Sequence, residues 1–395
     1  MRSLRCLALS VVSVALLVGT GSSASARVPA MPRAAVLDAG EQWVDAWGAS
    51  FLSTTVNGSL QNTSSFNNQT YRLNLQSKLG GTQVRVKVTN KFATNALTIG
   101  AAHVALQSSR NSIQSTTDRP LTFAGGSGVT LAAGAETWSD PVSLTIPQHA
   151  TVAVSIYVPG NFKPTTFHPT GLHTNYLSRS GNNVSSATLP LATFSNTTTQ
   201  VLMVSGLQVV APDTSRVVAA LGDSITDGAC APNDANGTWP DLLSKRLPTL
   251  ASGRPLSLID MGIGSNRLVA SDLAGPSGVH RFADDVLARP NVGYVIVMEG
   301  INDISYHHVA VSTITDAYTS LISLAHAAGL KVFGATLPAQ STSANASRNT
   351  AFTLGQSSGN TAPLDSPPRR GSTWQHARTS IAVRRSAVDR ERLDA

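Results

Sequence analysis

Val217-Val218-Ala219-Ala220-Leu221-Gly222-Asp223-Ser224-Ile225-Thr226-Asp227-Gly228 decides how the second half of this chain folds. Five consecutive apolar residues without polar alternation read as a strand buried on both faces, as in a parallel sheet covered by helices. Gly222 permits a tight turn at the strand's exit, and Asp223 and Thr226 can stabilise the next loop through side chain to backbone hydrogen bonds. The turn delivers one hydroxyl, that of Ser224, to the carboxyl end of a strand, where functional loops gather in open α/β sheets. A serine there can act as a nucleophile if a base takes its proton and donors hold the oxyanion. The plainer reading is a turn that happens to contain serine, since Gly-Asp-Ser alone is only modestly specific.

Downstream the same rhythm continues. Apolar runs Leu256 to Met261, Tyr294 to Met298 and Val332 to Leu337 alternate with helical stretches Trp239 to Leu247 and Ile314 to Ala328. This predicts a parallel sheet with helical cover, and it brings Asn266 and Asn302 to strand ends alongside Ser224. Val297-Met298-Glu299-Gly300-Ile301-Asn302-Asp303 repeats the pattern of an apolar strand ending in glycine and an amide. Asn302 can donate its side-chain N–H to a developing oxyanion, although a lone Asn is more often a turn or cap residue.

Upstream, from about Trp43 to Val210, Thr, Ser, Asn, Val and Gly dominate. Tyr71-Arg72-Leu73-Asn74-Leu75 and Val84-Arg85-Val86-Lys87-Val88 alternate as strands do, and Gly80-Gly81, Gly125-Gly126 and Pro159-Gly160 punctuate the runs as turns. Many short strands with turns between them predict an antiparallel sandwich, with a jelly roll as one form of it. The expected divisions are a signal peptide over 1–26, an all-β region over 40–210, an α/β domain over 215–345 with an incomplete carboxyl end, and a low-order Arg-rich tail over 346–395.

The leader reading rests on Arg2 and Arg5 before the apolar run Cys6 to Val18, with Ala24-Ser25-Ala26 as a cleavage site. It predicts a secreted protein with no membrane association after cleavage. Cleavage removes Cys6 and leaves Cys230 alone, so no internal disulfide is expected, and Cys230 reads as a structural thiol. No Cys/His cluster has zinc spacing and no Gly-rich loop ends in Lys-Ser or Lys-Thr, so neither a metal nor a cofactor is expected.

The net charge of +7 on 395 residues does not point to nucleic acid. Residues 366–395 hold seven Arg against Asp389, Glu391 and Asp394, a net +4, and Arg2 and Arg5 carry +2, leaving only +1 for 27–365. Two readings of the Pro-, Ser- and Arg-rich tail stay open. One is a disordered basic tail; the other, preferred slightly, is a frameshifted end of a GC-rich coding sequence.

The blocks taken together resemble the GDSL, or SGNH, hydrolase family. Gly222-Asp223-Ser224-Ile225 is similar to its nucleophile block, Gly300-Ile301-Asn302-Asp303 to its Gly-x-Asn-Asp block, and Asp260-Met261-Gly262-Ile263-Gly264-Ser265-Asn266-Arg267 to the block carrying the oxyanion glycine. Trp43 to Val210 is similar to the β-rich domain of a secreted bacterial branch, so the resemblance covers roughly 40–340. It implies a flavodoxin-like three-layer α/β domain and hydrolysis of acyl or acetyl esters, of small molecules or polysaccharides, through an acyl-enzyme. Ser224 would attack, and its own N–H, an N–H of Gly264 or Ser265 and the Asn302 amide would hold the oxyanion. Gly222, Asp223, Gly300 and Asp303 would support them.

Two departures stand out. Ser265 aligns with the family's glycine, beside Gly264, which leaves open which N–H serves. The family's closing Asp-x-x-His block is absent: His103, His149, His168, His173, His280, His307, His308, His326 and His376 all lack an Asp three positions earlier. The general base is therefore unassigned, and the chain reads as an impaired esterase. The alternative is a noncatalytic secreted carbohydrate-binding protein with a vestigial hydrolase domain, in which Trp43, Trp47 and Trp138 offer stacking surfaces; such aromatics are more often core.

Overall fold

Antiparallel pairing accounts for the Thr-, Asn- and Val-rich half of the chain. The computed structural model describes residues 37–335 except 57–58, 61–62, 251–252 and 273. The expected signal peptide and Arg-rich tail, with Cys6 and His376, lie outside the described residues.

The first half contains β1 (Glu41–Gly48), β2 (Phe66–Gln76), β3 (Gly81–Thr89), β4 (Ala101–Ser109), β5 (Thr151–Phe162), β6 (Asn175–Ser180) and β7 (Val204–Pro212). One sheet runs β1-β7-β3, with Glu136–Trp138 and Val142–Ile146 both pairing to β3. The other has β4-β5-β2-β6 at its centre, and the named strands of both sheets pair antiparallel. Strand alternation explains why they associate: Val84, Val86 and Val88 from one sheet and Tyr71, Leu73, Leu75, Val152, Val154 and Ile156 from the other are buried in one core. The intervening Arg72 is buried as well, its guanidinium held by Ser155 Oγ and the carbonyls of Asn111, Val184 and Ser186.

From Arg216 the pairing changes to parallel. The elements are β8 (Arg216–Gly222), α1 (Ser224–Asp227), α2 (Trp239–Leu250), β9 (Leu256–Gly262), α3 (Gly278–Phe282), β10 (Val292–Met298), α4 (Ile301–His307), α5 (Val311–Ala327) and β11 (Lys331–Gly334). All four strands are parallel in the order β9-β8-β10-β11. The first strand is thus interior, and the chain reverses its direction of sheet building between β8 and β10. That reversal opens a crevice at the carboxyl ends of the strands.

Both faces of this sheet are covered. Val218, Ala220, Leu258 and Ile296 cluster with Trp239, Leu243 and Leu247 of α2. Val217, Ala219, Leu221, Ile259, Met261, Val295 and Val297 join the cluster that holds Phe282, Ile314 and Leu321 and continues into the β-rich half. At the seam β1 lies against β9; a Cβ on Gly48 would come within 2.8 Å of Met261 Cε. Among the described residues no helix is long and apolar enough to cross a membrane.

Candidate active site

Register sets up the site. Gly222 stands opposite Gly262 of β9 on one side and Met298 of β10 on the other, so three strands end level with one another. The three sequence blocks leave from those ends.

The first block turns sharply because Gly222 has no side chain: a Cβ would sit 2.0 Å from Thr226 Oγ1 and 2.7 Å from the Met298 carbonyl oxygen. Asp223 is extended and caps α1, its Oδ1 accepting from the Ile225 N–H at 2.9 Å. Ser224, half-buried, is the first helical residue, so its N–H has no acceptor within the helix. Gly228, with φ of 94°, closes the turn by donating its N–H to the Ser224 carbonyl at 3.0 Å.

The second block packs backbone to backbone on that turn. A Cβ on Gly262 would lie 2.2 Å from Asp227 N. Ile263 N–H donates to the Gly222 carbonyl at 3.1 Å. Of the two residues the sequence left open, Ser265 holds the left-handed conformation, with φ of 62°, that glycine adopts readily. Asn266 is fully buried and spends its amide on the loop itself: Nδ2 donates to the Ala274 and Pro276 carbonyls, and Oδ1 accepts from Arg281 Nε.

The third block is tied to the second. Gly300 takes φ of 115° ahead of α4, and Asn302, buried, donates Nδ2–H to the Asn266 carbonyl at 2.7 Å. An amide carries two such hydrogens, so one remains for another acceptor. Asp303, fully buried, accepts from the N–H groups of Leu268 at 2.6 Å and Val269 at 3.2 Å. The residues Gly222, Asp223, Ser224, Ser265, Asn302 and Asp303 therefore sit on one connected set of loops.

Beneath these loops lies a charged group that spacing alone does not reveal. Arg281 of α3 is 4% exposed and flanked by Asp285 and Glu299. Burial pushes the Glu299 carboxyl up to about 7 against the opposing charge of Arg281. Burial also pushes Asp223 up to about 6, and burial with the Asp227 charge pushes Asp260 up to about 8.

The general base stays unassigned among the described histidines. His307 is half-exposed, with Nε2 3.9 Å from Asp272 Oδ2, and His308 closes the end of α4 with φ of 51°. His168, from the β-rich half, reaches Asp227 of α1: Nε2 lies 3.1 Å from Asp227 Oδ1 and 3.2 Å from the Thr170 carbonyl, while Nδ1 lies 2.9 Å from the Ser50 carbonyl. Burial alone would push this imidazole down, but the Asp227 carboxylate prevails and holds it above its ordinary value. Acceptors at both ring nitrogens require both to carry hydrogen, so His168 is held as a cation and has no lone pair to take a proton from serine. Nothing in its spacing marks it, because its partner lies 59 residues away in α1.

Trp43 and Trp138 each stack on the Arg85 guanidinium, at 4.6 and 4.8 Å, and Trp47 packs on the core. Cys230 is exposed and free, so burial does not hold its thiol as a structural one would be held. Among the described residues no group of three or more His, Cys, Asp or Glu is arranged to hold a metal ion.

These charges fix the pH response. Asp223, Asp260, Glu299 and His168 all have folded values above their ordinary ones, so their contributions favour the fold at low pH and are lost as pH rises through the folded values. Glu136 and Asp241, where Lys87 and Lys78 outweigh burial, are held low and lose their contribution on acidification. Melting temperature is expected to peak near about pH 5 and to fall by roughly 5 °C toward about pH 8.5, with Asp260→Asn flattening the alkaline limb. Thermal melts across that range check this; a Tm that rises to pH 8.5 contradicts it.

Residues 220–387 match the GDSL-like Lipase/Acylhydrolase family. No curated protein matches the chain. Among solved structures, the chain is similar to AlinE4, an SGNH-hydrolase family esterase, at 18% identity over 35% of this chain and 67% of that one, with a TM-score of 0.30. A lipolytic protein of the G-D-S-L family from Desulfitobacterium hafniense DCB-2 is 22% identical over 36% and 70%, with a TM-score of 0.29. The acetyl xylan esterase AlAXEase is 24% identical over 36% and 71%, with a TM-score of 0.28.

Proposed function

We propose, from the match of residues 220–387 to the GDSL-like Lipase/Acylhydrolase family, that the chain is a serine esterase acting on acyl or acetyl esters through an acyl-enzyme on Ser224. The observation that carries this reading is the convergence of the three blocks, with Asn302 fixed to the Asn266 carbonyl and one amide hydrogen left over. The parallel order β9-β8-β10-β11, covered on both faces, supports a flavodoxin-like three-layer domain following a β-sandwich.

In this reading Ser224 Oγ attacks the ester carbonyl carbon, and the carbonyl oxygen becomes an oxyanion. The Ser224 N–H, the Ser265 N–H and the second Asn302 hydrogen stabilise that charge as it develops. Collapse of the intermediate expels the alcohol and leaves an acyl-serine, which water then hydrolyses. Each half needs a base. That base, which takes the proton of the attacking hydroxyl or water and returns it to the leaving group, is unassigned in this reading; without it the rate rests chiefly on oxyanion and binding interactions. Substrates are small-molecule or polysaccharide esters, met outside the cell after removal of the leader.

Hydrolysis of p-nitrophenyl acetate by the intact chain and by Ser224→Ala tests the reading. The variant is expected to fall to the buffer background, and an acyl adduct on Ser224 is expected in the mass spectrum of the parent chain. Equal rates remove Ser224 as the nucleophile and leave the carbohydrate-binding alternative.

A further inference from the structure

We infer that Arg281 is the positioning residue of this site, a single buried guanidinium that sets the nucleophile turn and the oxyanion loop relative to each other. Its donors reach every part of the framework. Nη2 donates to the Gly222 carbonyl at 2.8 Å, two residues before Ser224, and to Glu299 Oε1 at 3.3 Å. Nη1 donates to the Met261 carbonyl at 2.6 Å, Asp285 Oδ2 at 3.0 Å and Ser50 Oγ at 3.1 Å. Nε donates to Asn266 Oδ1 at 2.9 Å, next to Ser265. One side chain thus joins the carboxyl ends of β8 and β9, the residue after β10, the oxyanion loop and the β-rich half.

Burial of so many charges is not explained by stability. A buried ion pair is often no more stabilising than apolar residues of the same volume, so Arg281, Asp285 and Glu299 point to a geometric role. The planar fork of arginine suits that role, since five N–H groups at fixed angles can hold acceptors from separate strands at once. Ser50 extends the framework: its Oγ donates to Asp285 Oδ2 at 2.6 Å, and its carbonyl faces His168, which faces Asp227 of α1. The β-rich half thereby braces the nucleophile turn from two sides.

This inference rests on the esterase reading, and the test separates the two. Arg281→Lys keeps the charge and loses the fork. Its kcat on p-nitrophenyl acetate is expected to drop about 10- to 100-fold with KM nearly unchanged, as a displacement of about 1 Å in the reacting groups would produce. Amide hydrogen exchange is expected to accelerate at least tenfold in 222–228 and 262–269 while β5 is unaffected. If the parent chain shows no hydrolysis dependent on Ser224, the esterase reading fails alone, and the exchange pattern still decides the role of Arg281. Unchanged exchange in both loops overturns it, as does acceleration spread evenly along the chain. Should Arg281→Lys not fold, Arg281→Met combined with Glu299→Gln, which leaves Glu299 uncharged, is read by the same exchange criterion.

Discussion

Gly262→Ala is expected to reduce kcat/KM for ester hydrolysis by about 10²-fold or more and to destabilise the fold by about 1–3 kcal/mol. The cause is backbone crowding. An added Cβ would stand 2.2 Å from Asp227 N, 2.6 Å from its Cα and 2.8 Å from the Thr226 carbonyl carbon. No flexible side chain is there to swing away, so α1 itself must move, and Ser224 moves with it. Relaxation by β9 is restricted as well, since Met261 and Gly262 flank the carbonyl held by Arg281 and the N–H held by Asp260 Oδ1. Gly237→Ala serves as the control, because a Cβ there would meet nothing closer than Ala235 Cβ at 4.0 Å. Initial rates and thermal melts of the two variants check the expectation. A Gly262→Ala protein with parental rate and Tm shows that the two blocks do not pack as tightly as these distances require.

The three blocks were legible in the sequence because each carries its own local signal. An apolar run followed by glycine marks a strand end, and Asp223, Ser224 and Asn302 are polar residues at such ends, so their neighbourhood follows from the parallel order of the strands. The alternation in Tyr71 to Leu75 likewise read as a strand, and it lies in the second half of β2.

Arg281, Ser50 and His168 were not legible, for the opposite reason. Nothing in the sequence around Arg281 marks it, and only the docking of α3 under the strand ends turns that arginine inward. Its contact with Ser50 spans 231 residues and has no local signature. Asp303 lies between these cases: its position in the third block was read, while its use as acceptor for two successive N–H groups of the second block depends on tertiary packing. The left-handed backbone of Ser265 was not legible either, because a serine in place of glycine conceals it.

Asn302→Ala is expected to lower kcat by about 10²- to 10³-fold with KM little changed, the signature of a donor engaged chiefly in the transition state. The amide does two things at once: one hydrogen fixes it to the Asn266 carbonyl at 2.7 Å, and the other is free to meet a developing oxyanion. Loss of the tie alone loosens two loops and is read as a fall in Tm. Loss of the second donor is read in kcat. Asn302→Asp separates them further, because a carboxylate keeps the shape, presents negative charge to the Asn266 carbonyl and has no N–H to offer. A larger loss in Asn302→Asp than in Asn302→Ala therefore follows if negative charge accumulates beside this residue during the reaction. Rates of the two variants that match the parent, with Tm lowered in both, would make Asn302 a tie between loops and move the oxyanion donors to the backbone N–H groups of Ser224 and Ser265.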